Sequence, residues 1–593
     1  MTVTTLAFES AVRRVDTALR GGDCPVVQLI GALGTGKSTV ARASLNRLRR
    51  PGLPAIPLVD GVDGARQARA AWRLCRDVPA TGPVLVAGRR PLTNYPEWTG
   101  TAITEIRLAP WSRADIAALA YGHAVRREPD LDRVLRLAGG LPVIAAAVCR
   151  QLRQGGDGLS DGTLAHAAAT EILRRVRTEV PRRVPVAVPV LATVDGADDD
   201  LLRQLVAAPA DSFDWLSELS IVRPDVHGLT VAEPYRTVLD LAHRWRHPVS
   251  RAALAARTSA YRSRQLAGVT EASLRGRLVS QILNLSATPR VRADLFVEPS
   301  GHVRVRDAGP SDADHVGRLI RRWADDEGLS RTRAERMAQL WLSGPVPGFR
   351  FLVDADDEPL GMVNISPLDP GLPVLDRLLQ QHVDALPSDR GIVVGMMAMR
   401  PGAERLQPVL VHEILVAGLR TGRLVVSTPW LPYQRLCDRF GLRRLGGTRD
   451  DLYRCGRANV VLSRTFDADN LLGWLRRMQR DGPADRAARA VRDALVDVSS
   501  PGGLARSPLV AWTGAGSGAA LAALLRSTIS TLAESPEPVD AEAGRILAQY
   551  YLRAAGGHEI IAHRMHLSRA TYFRRFRHGI ERLTDLLLPS ADR

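Results

Sequence analysis

At 593 residues the chain is too long for one hydrophobic core, and roughly three to five domains are expected. Hydrophobic residues at 45% and charged residues at 24% exclude a disordered chain. Five scattered cysteines (Cys24, Cys75, Cys149, Cys437, Cys455) argue against a disulfide framework or a zinc site.

No stretch is long and apolar enough to span a bilayer and Met1–Ser10 has no basic, apolar pattern, so a cytoplasmic protein is expected. The net charge of +17 favours an acidic partner, nucleic acid first, although a general preference for arginine accounts for it equally well. Glycine and proline clusters mark breaks at Gly155–Gly158, Pro181–Pro189, Pro345–Pro347, Asp369–Pro373 and Ser499–Gly503.

Val26-Val27-Gln28-Leu29-Ile30 reads as a buried strand. It leads into Gly31-Ala32-Leu33-Gly34-Thr35-Gly36-Lys37-Ser38, and a helical pattern follows from Thr39 to Arg49. This is G-x-x-x-x-G-K-S between a strand and a helix. Glycines there let backbone N–H groups turn inward around phosphate oxygens, and the helix N-terminus adds partial positive charge. Lys37 is the only lysine in a chain with 79 arginines. A compact ammonium fits between terminal phosphates where a broad guanidinium does not. Gly31, Gly34, Thr35, Gly36, Lys37, Ser38 and Thr39 are the candidate contacts for ATP or ADP, with the Ser38 hydroxyl on Mg2+.

Ala55–Asp60 is the next strand signal, and Asp60 at its end is the candidate acid for hydrated Mg2+ and for catalysis. Pro57 is unfavourable in a central strand. Gly61 stands where a second acid would polarise water, so hydrolysis is expected to be slow or absent. The strand Val84–Gly88 ends in Arg89 and Arg90. An arginine at that edge can reach a terminal phosphate or stay solvated. Glu105–Leu108 is a further strand, Ser112–Gly122 a helix, and Gly139-Gly140-Leu141-Pro142 opens another.

In this order the motifs resemble the STAND class of signalling P-loop NTPases, which includes the NB-ARC regulators, over roughly 20–245. The resemblance implies that the motif ending in Pro142 contacts the base side of the nucleotide and that Arg89 senses its phosphate. Only 22 residues separate Lys37 from Asp60, so one strand–helix unit of the class is missing. Leu201–Leu205, Phe213–Val222 and Gly228–Tyr235 then resemble the winged helix that packs on the nucleotide module in STAND proteins; an unrelated helical bundle is the alternative.

Val303–Arg306 is a short alternating strand and Ser311–Asp325 an amphipathic helix. Phe349–Val353 and Pro359–Ile365 make a hairpin around the turn Asp354–Glu358. A strand at Gly391–Met399 and a helix at Val409–Leu419 precede Tyr433–Arg444. Over about 300–456 this order resembles the GNAT acyltransferase fold, with Arg439-Phe440-Gly441-Leu442-Arg443-Arg444 similar to its late strand. The resemblance implies acetyl-CoA as ligand and makes Tyr433 a candidate general acid, with a packed tyrosine as the alternative. The family's pyrophosphate turn is Q/R-x-x-G-x-G/A. Met399–Pro408 lacks its two spaced glycines, so fewer N–H groups can face a phosphate and a binding or dimerisation scaffold is favoured.

Ala541–Ala554, His558–Met565 and a stretch opened by Arg569–His578 read as three helices. Ser568 is a natural N-cap, and Ile560, Ala562, Leu567, Phe573 and Phe576 can form the interior. Residues 558–582 carry six arginines and two acids. The spacing Ala562, Met565, Ser568, Thr571, Arg574 resembles a helix-turn-helix whose third helix enters the major groove. Arg569, Thr571 and Tyr572 are candidate base contacts, and Arg574, Arg575 and Arg577 candidate phosphate or guanine contacts. A basic hairpin that docks protein is the alternative.

These readings point to a STAND-like regulator that binds DNA, is switched by ATP or ADP, and is at most a slow ATPase. The alternatives are an acyl-CoA-dependent acetyltransferase with a nucleotide-gated half, and a signalling or defence scaffold that homo-oligomerises on ATP. The expected fold is multidomain α/β and α. It comprises a P-loop parallel-sheet module (1–155), a winged-helix-like segment (156–250), a helical connector (251–299), a GNAT-like α+β module (300–456), a helical region (457–540) and the helix-turn-helix (541–593).

Overall fold

The computed structural model describes residues 5–588 except 22–24, 50–54, 78–82, 156–157, 178, 180–186, 207–210, 227, 287, 298–302, 344–347, 355–356, 370, 387–389, 480–482, 499–503, 506 and 554–557. All five breaks expected from sequence include residues outside the described ones.

α1 (Leu6–Gly21) leads into β1 (Val26–Ile30), buried along its whole length as a strand covered on both faces must be. α2 (Lys37–Leu48), β2 (Leu58–Val62), α3 (Ala65–Asp77), β3 (Val84–Gly88) and β4 (Ile103–Arg107) complete a parallel sheet ordered β2-β3-β1-β4. Among the described residues no strand separates α2 from β2. Pro57 stands just before β2, an edge strand, and its carbonyl still accepts from the Leu85 amide of β3 at 2.9 Å. Val12, Val15, Leu29 and Val40 pack one face, and Val26, Ala71, Val86 and Trp98 the other.

A helical layer follows: α4 (Arg113–Gly122), α5 (Glu128–Ala138), α6 (Pro142–Gly155), α7 (Asp161–Val176), α8 (Ala187–Val194), α9 (Asp199–Leu205) and α10 (Ser212–Glu218). The antiparallel hairpin of β5 (Val222–Asp225) and β6 (Gly228–Val231) then precedes α11 (Tyr235–Arg246). Leu33 of the glycine loop shares one core with Leu141, Ile144, Leu191, Leu216 and Val238. The loop is therefore packed against the helix–hairpin unit far along the chain. α12 (Pro248–Ala267) joins two cores. Leu254 belongs to this one, and Leu266 to the next, which also takes α13 (Ala272–Asn284) and α14 (Pro289–Leu295).

The second sheet starts with β7 (Arg304–Asp307), followed by α15 (Ala313–Glu327), α16 (Arg331–Leu342), β8 (Phe349–Val353) and β9 (Pro359–Pro367). It continues through α17 (Pro373–Leu379), β10 (Ile392–Met399), α18 (Gln407–Thr421), β11 (Arg423–Thr428), α19 (Leu431–Arg439), β12 (Arg443–Gly447) and β13 (Val460–Thr465). The order is β12-β13-β11-β10-β9-β8-β7, antiparallel except for β10 against β11. The sheet thus runs past the boundary expected at 456. β13 inserts between β11 and β12 and buries Val461 and Leu462, where a helical region was expected.

α20 (Ala468–Gln479) seals this core with Trp474. α21 (Pro483–Val496), α22 (Leu509–Trp512), α23 (Gly518–Ala533), α24 (Pro538–Leu547), α25 (His558–Arg564) and α26 (Arg569–Leu587) form the last unit, around Val491, Leu525, Ile529 and Leu583. Among the described residues no helix is long and apolar enough to cross a membrane.

Candidate functional site

The glycine loop closes tightly between β1 and α2. Gly34 and Gly36 have φ of +81° and +96°, which a side chain would strain. Gly34 also packs on α6, where a Cβ would fall 2.0 Å from a Val143 methyl. Thr35 is fully buried, and its hydroxyl donates to the Ala32 carbonyl at 3.0 Å. Lys37 folds back over the loop, donating to the Gly31 and Ala32 carbonyls at 2.7 and 2.9 Å. Burial first, then the nearby Arg89 guanidinium, lowers its ammonium to about 8. Ser38 is half-buried and Thr39 exposed at the head of α2, which no described side chain caps. Such a helix end, glycine loop and cation fit a phosphate chain.

Three neighbouring segments converge on the loop. Tyr235, at the start of α11, donates its buried phenol to the Leu33 carbonyl at 2.6 Å. Gly139 and Gly140, with φ of +52° and +76°, turn the chain into α6, whose first residue Pro142 is buried. The Gly140 carbonyl accepts from the Trp111 amide at 2.8 Å. Gln28 on β1, fully buried, clamps the chain after β3 by donating to the Arg90 carbonyl at 2.8 Å and accepting from the Leu92 amide at 2.9 Å. That clamp sets Arg89, which pairs with Asp63 at 3.3 Å and with Glu179.

Asp60 is more peripheral. It lies 3.9 Å from the exposed Arg42, one helical turn beyond Ser38 on the same face of α2. A bulge between Asp60 and Val62, with Gly61 at φ +79°, carries the chain on to Asp63. Asp63 acts on the Lys37 charge more strongly than Asp60 does. Ser38 and Asp60 are the residues that would hold Mg2+ through a hydrated shell.

In the second sheet, β10 and β11 pair only over Ile392–Val394 and Leu424–Val426, and the β10 register against β9 slips between Val394 and Met396. The strands part into an apolar cleft lined by Gly395, Met397, Ile414, Leu415, Tyr433 and Phe440. Gly395 is required, because a Cβ would fall 2.1 Å from the Trp341 ring. Trp323 lines the cleft, and Glu327, 9% exposed, lies next to it on α15. Burial pushes the Glu327 carboxyl up to about 8, and burial likewise raises the Tyr433 phenol. The turn after β10 already uses three of its amides. Those of Arg400, Ala403 and Leu406 donate to the Leu360, Arg400 and Ala403 carbonyls at 2.7, 3.0 and 2.8 Å. Arg405 in this turn reaches across to Asp132 of α5 at 3.6 Å.

The C-terminal helices correct part of the expected nucleic-acid face. Ser568 caps α26, accepting from the Thr571 amide at 3.2 Å, and Thr571 is half-buried. Tyr572 is fully buried and shares a 3.0 Å hydrogen bond with His558 Nδ1, so its ring is interior and not a base contact. Arg575 donates to Glu542 at 2.6 Å, tying α26 to α24. Arg574 and Arg577 face solvent; the side chain of Arg569 lies outside the described residues. Ala562, Leu567 and Phe576 belong to the interior as expected, but Ile561 and Tyr572 take the places of Ile560 and Phe573, which are 51% and 38% exposed.

No family model matches the chain, and no curated protein matches it. Solved structures resemble parts of it. A histone acetyltransferase and related acetyltransferase from Corynebacterium glutamicum matches at 14% identity, covering 28% of this chain and 96% of that one, with a TM-score of 0.22. A GNAT-family acetyltransferase from Listeria monocytogenes matches at 12% identity, over 28% of this chain and 94% of that one, with a TM-score of 0.20. A STAND protein with a tetratricopeptide repeat sensor from Pyrococcus horikoshii matches at 10% identity, over 47% of this chain and 48% of its own length, with a TM-score of 0.20.

Sequence reading missed Asp63, Glu179 and Tyr235. Only Asp63 left a signal, the repeated Val-Asp-Gly at 59–61 and 62–64.

Proposed function

We propose that the chain is a STAND-like regulatory protein that binds ATP or ADP at Gly31–Thr39 and DNA through its C-terminal helices. Nucleotide would favour one packing of the helix–hairpin unit on the loop, through its different affinity for the two arrangements. The observation that carries this reading is Lys37 at the head of an uncapped α2, with Tyr235 of α11 bonded to the same loop. Mg2+ would sit on Ser38 with Asp60 in its hydrated shell. The exposed, arginine-flanked Asp60 supports slow hydrolysis at most. In this reading Arg574 and Arg577 contact phosphates, Thr571 sits near the bases, and Arg575 holds the helix in place.

Calorimetric titration tests the nucleotide half: Lys37→Ala should weaken ATP and ADP by roughly tenfold to a hundredfold or more, and unchanged affinity would refute it. Electrophoretic shift over a salt series tests the DNA half, and absence of salt-sensitive duplex binding with or without ATP would remove it.

The parted strands β10 and β11 favour a second reading, an acyl-CoA-binding cleft beside Tyr433. The self-bonded turn after β10 supports a binding scaffold over an active acetyltransferase. Acetyl-CoA titration decides it. A shift to larger species with ATP and magnesium would instead favour an oligomerising scaffold.

A further inference from the structure

We propose that Glu179 decides between nucleoside triphosphate and diphosphate, because it holds Arg89 where a terminal phosphate would otherwise take it. This rests on reading Gly31–Thr39 as a nucleotide site.

Arg89 and Glu179 are nearly buried, with side chains 12% and 6% exposed. A guanidinium buried close to an ammonium is unfavourable unless anionic charge sits with them. Glu179 and Asp63 supply that charge on Arg89, and both also act on Lys37. To a guanidinium, a carboxylate and a phosphate edge offer the same pair of charged acceptors. Glu179 is therefore a surrogate for the anion that Arg89 would meet in a triphosphate complex.

The carboxylate is also anchored elsewhere. It accepts from the Ser220 amide at 2.8 Å and from the Ser220 hydroxyl at 2.9 Å, in the turn between α10 and β5. A diphosphate held by the glycine loop can leave Arg89, Glu179 and Ser220 joined. A third phosphate competes with Glu179 for Arg89 and repels it as a like charge. Triphosphate binding therefore opens the contact to the helix–hairpin unit. By reciprocity, whatever holds that unit in place weakens triphosphate binding.

The test is calorimetric titration of the full chain, with magnesium, against ADP and a non-hydrolysable ATP analogue. Glu179→Gln keeps the shape and removes the charge. It should tighten the analogue roughly tenfold while ADP moves less than about threefold. In an Arg89→Ala background the same change should alter the ratio of the two affinities by less than about threefold. If Glu179→Gln fails to fold, Ser220→Ala removes one anchor and should shift the ratio the same way by about threefold. Equal shifts for both ligands, or an unchanged ratio in a folded variant, would overturn the role of Glu179 while leaving the nucleotide site standing. Binding of neither ligand by the wild-type chain would bring down both.

Discussion

Raising the pH from 7 to 9 should weaken nucleotide binding about tenfold, and the cause is Lys37. In the free protein its ammonium is buried against two carbonyls and beside Arg89, so it gives up its proton near pH 8. Bound phosphates keep it charged, so binding above that pH requires proton uptake. The protonated fraction of the free protein falls from roughly nine-tenths at pH 7 to roughly one-tenth at pH 9, a penalty of about 1.4 kcal/mol. The ligand contributes little, because phosphate monoesters complete their ionisation near pH 6. Titration with ADP at pH 7, 8 and 9, in buffers of different ionisation enthalpy, reads both the affinity and the protons taken up. Lys37→Arg carries its charge throughout, so its affinity, whatever the level, should be flat over this range. A flat wild-type profile, or tighter binding at pH 9, would refute the reasoning.

Tyr235→Phe should lower stability by about 1–3 kcal/mol, since the buried Leu33 carbonyl loses its donor; an unchanged melting temperature would count against the contact. Glu327 has a folded-state value near 8, above its unfolded value, so the folded chain holds the extra proton. Stability should therefore decline by about 2 kcal/mol between pH 6 and pH 8, and Glu327→Gln should abolish that decline in thermal melts. Replacing Arg574 and Arg577 by alanine should flatten the logarithmic salt dependence of duplex binding by about two. An identical slope would show that neither touches the DNA backbone.

The glycine loop was legible because its chemistry lies in contiguous residues, and because the lone lysine stands out in an arginine-rich chain. Arg89 was legible from its place at a strand end, but Glu179 and Tyr235 come from separate segments and reach Arg89 and the loop only through tertiary packing, which local patterns do not encode. Gly61 reads in sequence as a lost acid, yet the bulge beside it hands the position near Arg89 to Asp63. In the last helices, periodicity predicts an amphipathic face but not where its edges fall. Where apolar residues are adjacent, as in Ile560-Ile561 and Tyr572-Phe573, packing against Ile546 and Phe576 selects the second member of one pair and the first of the other. Val460-Val461-Leu462 is too short a run to separate strand from helix, so β13 became evident only from its pairing with β11 and β12.

α12 makes the expected cut between residues 250 and 251 a poor one. Its 20 residues span about 30 Å, with Leu254 sunk in the first core, Leu266 in the second, and Arg262 fully enclosed between them, donating to the Gly196 carbonyl. Severing the chain there would strip apolar cover from both halves and strand a buried cation. The two sheets should therefore melt in a single cooperative step, and fragments ending in this helix should aggregate where the intact chain does not.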